Sequence, residues 1–162
     1  MSDEMTTDAV GRTTVLVVED DSLVRLMTVE ALTDEGYQVI EAATADEAHR
    51  LLEAHSDVQV LVTDVEMPGT LNGFALAHVA RELSPSIGVI VFSARTFPSK
   101  GTLPVGARFL QKPVGPSALI SLVHDLIAER TKGLPAEFTL DELADQPISS
   151  GISSVQITPV GS

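Results

Sequence analysis

Five short apolar runs, separated by segments with helical periodicity, constrain the fold of this chain more than any other feature of its sequence. The clearest runs are residues 14–18, 58–63 and 87–92, which are rich in Val, Ile and Leu. Continuous apolar runs of this length are typical of strands buried on both faces of a parallel sheet. Two further strands are predicted at 37–41 and 107–111. The alternation predicts an α/β fold with five parallel strands and right-handed crossovers.

The segments between the strands carry the signals of helix starts and ends. A helix is predicted from Ser22 to Glu35, because the following Gly36 can take the left-handed conformation that ends a helix. A second helix begins at Thr44 or Asp46, both of which are good N-caps. Two later helices are predicted around residues 76–83 and from Pro116 or Ser117 onward.

Residues 94–105, between the fourth and fifth strands, are expected to hold one more helix. They contain Pro98, Gly101 and Pro104. An interior proline costs a helix about 3 kcal/mol, because it removes a backbone donor and its ring clashes with the preceding turn. We therefore expect this fourth helix to be short, distorted or partly melted.

The two ends of the chain differ in composition from its middle. Residues 1–13 form a polar leader, and residues 132–162 form an acidic tail rich in Pro and Ser, which leaves one domain at 14–131. The tail is expected to be mostly mobile, because such segments bury little apolar surface. Within it, residues 139–142 match a capping box and residues 152–160 alternate like a strand.

Composition excludes several classes of function. The formal net charge is −13, with 10 basic against 23 acidic residues, so direct binding of nucleic acid is not expected. Cysteine is absent, which excludes disulfides and thiolate metal sites and favours a reducing compartment. The chain shows neither a secretory signal nor an apolar run long enough for a membrane span. A cytoplasmic protein without membrane contact is expected.

Polar residues follow the predicted strands at the points where they end. Glu19 and Asp20 follow the first strand, Asp64 the third, Ser93 the fourth and Lys112 the fifth. Taken singly, these residues are ordinary helix caps or solvated charges. Because the carboxyl ends of parallel strands share one edge, we expect them to meet, with carboxylates suited to Mg²⁺. Together they predict transfer of a phosphoryl group. In this reaction Asp64 attacks phosphorus, Ser93 donates a hydrogen bond to a phosphoryl oxygen, and Lys112 neutralises charge on the transferred group.

Four stretches of the sequence resemble, in order, the receiver domains of two-component response regulators, and the stand-alone chemotaxis-type regulators in particular. They are V-L-V-V-E-D-D, V-T-D-V-E-M-P-G-T-L-N-G, V-F-S-A and Q-K-P-V, within residues 14–130. The resemblance implies a flavodoxin-like, doubly wound sheet with strand order 2-1-3-4-5.

The resemblance also implies roles for individual residues. Asp64 is the expected phosphoacceptor, with Ser93 and Lys112 as its catalytic partners. A Mg²⁺ ion, with Mn²⁺ as a substitute, is expected to be the cofactor. Its expected ligands are Asp20, Asp64, the backbone carbonyl of Glu66 and, through water, Glu19. Asp21 lies outside this set and is expected to cap a helix.

Further expectations concern the switch and the lifetime of the phosphoryl group. Ser93 and Phe109 are the expected switch residues, with Phe109 standing where Tyr is frequent in the family. Glu66 and Arg95 are predicted to modulate phosphoryl lifetime as an ion pair that shields the group from water, the alternative being an exposed pair without effect. The loop after Met67–Pro68 is one residue longer than the common form and is expected to leave the site intact.

The function implied is signalling by phosphorylation. A sensor histidine kinase or a histidine phosphotransfer protein would donate the phosphoryl group, and the changed surface would bind an unidentified downstream protein, since no output domain is expected. A phosphorylation-dependent homodimer is an open alternative. The domain is not expected to be an enzyme beyond accepting its phosphoryl group and losing it by autodephosphorylation.

Two alternative functions remain open from the sequence. A magnesium-dependent phosphatase of the haloacid-dehalogenase type also uses a nucleophilic Asp, a hydroxyl and a Lys. That family has a second Asp two residues after the nucleophile, where this chain has Glu66, and its acidic pair follows the lysine. A receiver that acts only as a phosphate sink would have the same pocket.

Overall fold

The computed structural model describes residues 13–133, and within this range five parallel strands form one sheet. The strand order is β2-β1-β3-β4-β5, with every neighbouring pair parallel. The predicted α/β class and strand order are confirmed. The strands are β1 (Thr14–Val18), β2 (Gln38–Ala42), β3 (Val58–Asp64), β4 (Gly88–Ser93) and β5 (Arg108–Gln111).

Four helices accompany the sheet in the described part of the chain. Asp21 caps the first through two hydrogen bonds, as predicted, and Thr44 rather than Asp46 caps the second. None of the helices in residues 13–133 is long and apolar enough to cross a bilayer. The helices are α1 (Ser22–Asp34), α2 (Ala45–Ala54), α3 (Gly73–Leu83) and α4 (Pro116–Gly133).

The core lies on both faces of the sheet, because side chains of successive strand residues point to opposite faces. On one face, alternate residues of the central strands pack against α2 and α3 in one cluster of buried residues. On the other face, a cavity of about 380 Å³ is lined by residues of α1, the end of β4 and the beginning of α4. The sheet is therefore doubly wound, and the turns that follow its strands meet at one edge.

Contacts divide the chain into two units, residues 1–124 and 125–162. The first contains the sheet, α1 to α3 and the beginning of α4. In the second, the structure describes only the remainder of α4. Residues 1–12 of the predicted leader and residues 134–162 of the predicted tail lie outside the described residues. The latter include the predicted capping box at 139–142 and the predicted strand at 152–160, and the domain bounds stay predictions.

The connection between β4 and β5 differs from the sequence prediction. A shortened helix was expected there, but residues 94–107 contain turns and bends and no helix. Pro98 and Pro104 cannot donate the backbone hydrogen bonds of a helix. Gly101 and Gly106 have φ angles of 83° and 84°, in the left-handed region that a right-handed helix cannot include. Proline and glycine together abolish this helix rather than shorten it.

Side chains of α3 hold this connection in place. Arg81 donates one hydrogen bond from its guanidinium to the carbonyl oxygen of Val105 in this connection and another to that of Ile87, just before β4. The Nε2 atom of His78 lies 2.9 Å from the carbonyl oxygen of Thr102. The contacts with Thr102 and Val105 satisfy backbone acceptors that a helix would satisfy internally. The connection is thus an irregular segment tied to its neighbour by polar side chains.

Candidate functional site

Three carboxylates meet at the carboxyl edge of the sheet. Glu19 and Asp20 follow β1, Asp64 ends β3, and one carboxylate oxygen of each lies within 4.8 Å of the others. Glu19 and Asp64 are buried, whereas Asp20 is exposed. The predicted acidic cluster is therefore brought together by the parallel pairing of β1 with β3.

Lys112 supplies the positive charge of this site. Its Nζ lies 3.0 Å from Oδ2 of Asp64 and 3.2 Å from Oε1 of Glu19. The backbone N–H of Lys112 donates to the carbonyl oxygen of Ser93 at 2.9 Å, which fixes where the side chain leaves β5. Burial acts to lower the pKa of Lys112, but its hydrogen bond with Asp64 and the charges of Asp64 and Glu19 outweigh burial and raise this pKa.

The charge of the pocket is unbalanced. Burial raises the pKa of Glu19, and the nearby charge of Asp64 adds to this rise. The backbone N–H of Asp21, which donates to Oε2 of Glu19 at 3.1 Å, and the ammonium of Lys112 act in the opposite direction. Three carboxylates thus face one ammonium. A further cation would offset the excess of negative charge.

The donor set fits a magnesium ion. Mg²⁺ prefers oxygen ligands and keeps several waters, so a cluster with two buried carboxylates and one exposed carboxylate suits it. Glu19, Asp20 and Asp64 are the side chains that would hold the ion. The predicted contribution of the Glu66 carbonyl stays a prediction.

Hydrogen bonds orient the carboxylate of Asp64. The backbone N–H of Val65 donates to its Oδ1 at 2.8 Å, and Lys112 binds its Oδ2. The hydroxyl of Thr63 donates to the Asp64 carbonyl oxygen at 2.9 Å. Both carboxylate oxygens therefore have a donor that holds the side chain in the pocket.

Ser93 has a partner that the sequence did not indicate. Its hydroxyl, fully buried at the end of β4, donates to Oε2 of Glu66 at 2.5 Å. Its oxygen accepts from the backbone N–H groups of Thr96 at 2.9 Å and Arg95 at 3.2 Å. Burial acts to raise the pKa of Glu66, but hydrogen bonds from Ser93 and Thr96 and the charge of Arg95 lower it. Glu66 is therefore held as a carboxylate beside Ser93.

Phe109 lies in β5 opposite Val91 of β4. Its partly buried ring packs against the core and meets the ring of Phe97 edge-on, with 5.8 Å between the ring centroids. Phe97 belongs to the irregular connection and is 54% exposed. The contact between these rings was not predicted, because it depends on how residues 94–107 fold back toward the sheet.

The longer loop after Met67–Pro68 is held by a residue of α2. Both oxygens of the Asp46 carboxylate accept hydrogen bonds from Thr70, one from its hydroxyl at 2.7 Å and one from its backbone N–H at 3.2 Å. These bonds lower the pKa of Asp46. The sequence suggested Asp46 only as a helix opener, since nothing local indicates a partner 24 residues away.

Glycine at the start of α3 allows the backbone to approach Asp64 closely. The N–H of Gly73 donates to the carbonyl oxygen of Val65 at 3.0 Å. A Cβ at Gly73 would lie 2.1 Å from the carbonyl oxygen of Asp64, far inside contact distance. The sequence showed this glycine as part of a motif without giving its reason.

A doubly wound parallel sheet that carries an acidic cluster, a buried hydroxyl and a lysine at its carboxyl edge is the arrangement expected of a receiver domain. Residues 15–124 match the family model described as the response regulator receiver domain. The chain is 35% identical over 131 residues to the sensor kinase CckA of Brucella abortus. The aligned region covers 78% of this chain and 14% of that protein.

Solved structures agree with the family match. The crystal structure of a response regulator receiver protein from Sinorhizobium medicae has a TM-score of 0.68 and 26% identity, covering 73% of this chain and 96% of that one. The response regulator protein TrrA from Thermotoga maritima was solved in complex with Mg²⁺-BeF and has a TM-score of 0.63 and 25% identity. The match covers 70% of this chain and 98% of that one.

This chain belongs to the response regulator receiver domain family of two-component systems. Receiver domains are signalling domains, which confirms the expected class. The chain spans 14 to 58% of the lengths of the first curated relatives that it matches. The activities of those larger proteins therefore do not follow from the match.

We predict that Gly73→Ala lowers the free energy of unfolding by about 1–3 kcal/mol, because the new methyl group meets backbone atoms that cannot move cheaply. Urea denaturation measures the change. Gly115→Ala is the matched control, since a Cβ there has no atom within 4 Å. Equal unfolding midpoints for the two variants would show that the close approach is not a constraint.

Proposed function

We propose that Asp64 accepts a phosphoryl group from a phosphohistidine donor in a magnesium-dependent reaction. The observation that carries this proposal is the position of Lys112, whose ammonium contacts both Asp64 and Glu19 in a pocket with excess negative charge. A carboxylate oxygen of Asp64 attacks phosphorus, the P–N bond breaks, and the electron pair of that bond leaves with the imidazole of the donor. The product is an acyl phosphate on Asp64.

The residues around Asp64 prepare the site for this transfer. Lys112 neutralises charge that develops on the phosphoryl oxygens, and the N–H of Val65 orients the nucleophile. Bound Mg²⁺, or Mn²⁺ in its place, would supply further neutralisation of the phosphoryl oxygens. Ser93 and Phe109 would then reposition, so that the surface presented to an unidentified downstream protein changes.

The protein donor is proposed to dock on α1, where large apolar side chains are exposed. Leu23 and Met27 are one turn apart and are 64% and 56% exposed. Met27 also lines the cavity between α1 and α4, and so does Lys112 of the phosphoryl site. An apolar surface that reaches the reacting groups fits the apolar face of a helical phosphodonor, either a sensor histidine kinase or a histidine phosphotransfer protein.

The haloacid-dehalogenase alternative is less well supported. An acid/base group two residues after the nucleophile would have to face the substrate, whereas the carboxylate of Glu66 binds Ser93. Failure to turn over a generic phosphate ester agrees with the receiver function, and turnover would favour the phosphatase. A phosphate sink would show phosphorylation without a change of binding surface.

The proposed function is tested with acetyl phosphate and Mg²⁺. We expect wild-type protein to gain one phosphoryl group, measured by intact mass, and Asp64→Ala to gain none, because the nucleophile is missing. Asp34→Ala, which removes an exposed carboxylate at the end of α1, should behave as wild type. Modification of Asp64→Ala to the same extent as wild type would overturn the assignment.

The docking proposal predicts a difference between large and small donors. Leu23→Gln combined with Met27→Gln should slow phosphotransfer from a histidine kinase that phosphorylates the wild type by about tenfold or more, because apolar contact area is lost. Phosphorylation by acetyl phosphate should be unchanged, since this donor needs no protein contact. Equal rates with the kinase for variant and wild type would place docking elsewhere.

Glu66 and Arg95 are proposed to modulate the lifetime of the acyl phosphate by limiting the approach of water. Glu66→Ala or Arg95→Ala should shorten this lifetime by about two- to fivefold, the effect expected of an exposed or partly exposed charge interaction. Decay of a radiolabelled phosphoryl group measures it, with Glu82→Ala on the exposed side of α3 as control. Decay at the wild-type rate in both variants would contradict the proposal.

A further inference from the structure

The hydroxyl of Ser93 has no hydrogen-bonding capacity left. A serine hydroxyl offers one hydrogen and two acceptor lone pairs. Its hydrogen goes to Oε2 of Glu66 at 2.5 Å, and its lone pairs accept from the N–H groups of Thr96 and Arg95 at 2.9 and 3.2 Å. Ser93 is also fully buried, so water does not offer an alternative partner. A new acceptor for its hydrogen must therefore displace Glu66.

We propose that the carboxylate of Glu66 is a latch, which occupies the Ser93 hydroxyl until a phosphoryl group on Asp64 takes its place. This inference rests on the proposed function, in which Ser93 donates to a phosphoryl oxygen. Glu66 and the phosphoryl group are both anionic acceptors, and they compete for one hydrogen. Glu66 is accordingly a positioning residue that acts through Ser93.

The latch also connects the site to the segment that replaces the expected helix. Arg95 and Thr96, whose N–H groups bind the Ser93 oxygen, are among the first residues of the irregular connection between β4 and β5. When Ser93 turns from Glu66 to a phosphoryl oxygen, its lone pairs turn with it. Phosphorylation would thus change the conformation of residues 94–107 at the point where this segment begins.

A simpler effect of Glu66 must be separated from the latch. Its negative charge would repel a phosphoryl group whether or not Ser93 is present. A latch needs the hydroxyl, so the effect of removing Glu66 should depend on Ser93. A double-mutant cycle over Glu66 and Ser93 measures this dependence directly.

The probe for the cycle is beryllofluoride with Mg²⁺, a non-covalent mimic of the phosphoryl group, with affinities measured by titration calorimetry. We expect Glu66→Ala to tighten binding about tenfold, the loss of a competing hydrogen bond to a charged group. In the Ser93→Ala background the same change should alter affinity less than about twofold. Glu66→Gln, whose amide oxygen still accepts a hydrogen bond, should have an affinity between those of the wild type and Glu66→Ala. Glu82→Ala should bind beryllofluoride as the wild type does.

A second readout needs neither metal nor phosphoryl mimic. Amide hydrogen exchange of Arg95 and Thr96 in the metal-free protein should be several-fold faster in Glu66→Ala, because the Ser93 oxygen is no longer held toward these N–H groups. Glu66→Gln should restore part of the protection. The exchange of amides in β1 serves as the internal control.

The outcomes separate the latch from the proposed function. Equal tightening with and without the Ser93 hydroxyl would mean charge repulsion alone and would overturn the latch, as would no tightening. Wild-type protein that binds beryllofluoride no better than Asp64→Ala would overturn the proposed function. In that case the exchange experiment still decides, since unchanged exchange in Glu66→Ala rejects the latch by itself.

Discussion

The ammonium of Lys112 is the interaction on which the site depends, because it joins the ends of three strands. It contacts Glu19 after β1 and Asp64 at the end of β3 from its own position after β5. Without it, two buried carboxylates would face each other with no opposite charge, which is strongly unfavourable in a medium of low dielectric constant. Burial, with the charge of Asp64 adding to it, raises the pKa of Glu19. Three carboxylates against one ammonium leave excess negative charge in the pocket. This residual charge is the physical reason for a cation.

The connection between β4 and β5 is where this domain departs from a regular alternation of strands and helices. Arg81 and His78 of α3 contact the carbonyl oxygens of Val105 and Thr102 in this connection, and Phe97 packs against Phe109. The segment is thereby tied to α3, to the sheet and, through Ser93, to the edge of the sheet where phosphoryl transfer is proposed. An irregular segment held by a few polar contacts can change conformation at lower cost than a packed helix. It is therefore a suitable place for the proposed effect of phosphorylation to reach a binding surface.

Local sequence signals predicted most of the fold. Apolar runs were sufficient to predict the strands, and capping residues were sufficient to predict where helices begin. Asp21, Thr44 and Pro116 mark the observed helix starts. The segment 94–107 was predicted less well, because propensity weakens a helix there but does not say which alternative forms. That alternative depends on side chains of α3, which contact carbonyl oxygens of the segment. In the same way, Asp46 binds Thr70, which is 24 residues away in the sequence. Such contacts join residues distant in sequence, which local patterns do not encode.

The sequence by itself determined which chemical groups stand at the strand ends, and parallel pairing then required them to share one edge. It therefore determined the acidic cluster, the hydroxyl and the lysine, and with them the family. Only the tertiary structure decided how these groups are paired: Lys112 between two carboxylates, Gly73 against the Asp64 backbone, and Ser93 bound to Glu66. The reason is physical. The order of strands along the chain determines which groups lie at the same edge of the sheet. Which of these groups form hydrogen bonds depends on differences in distance of a few tenths of an ångström, which only the packed structure sets.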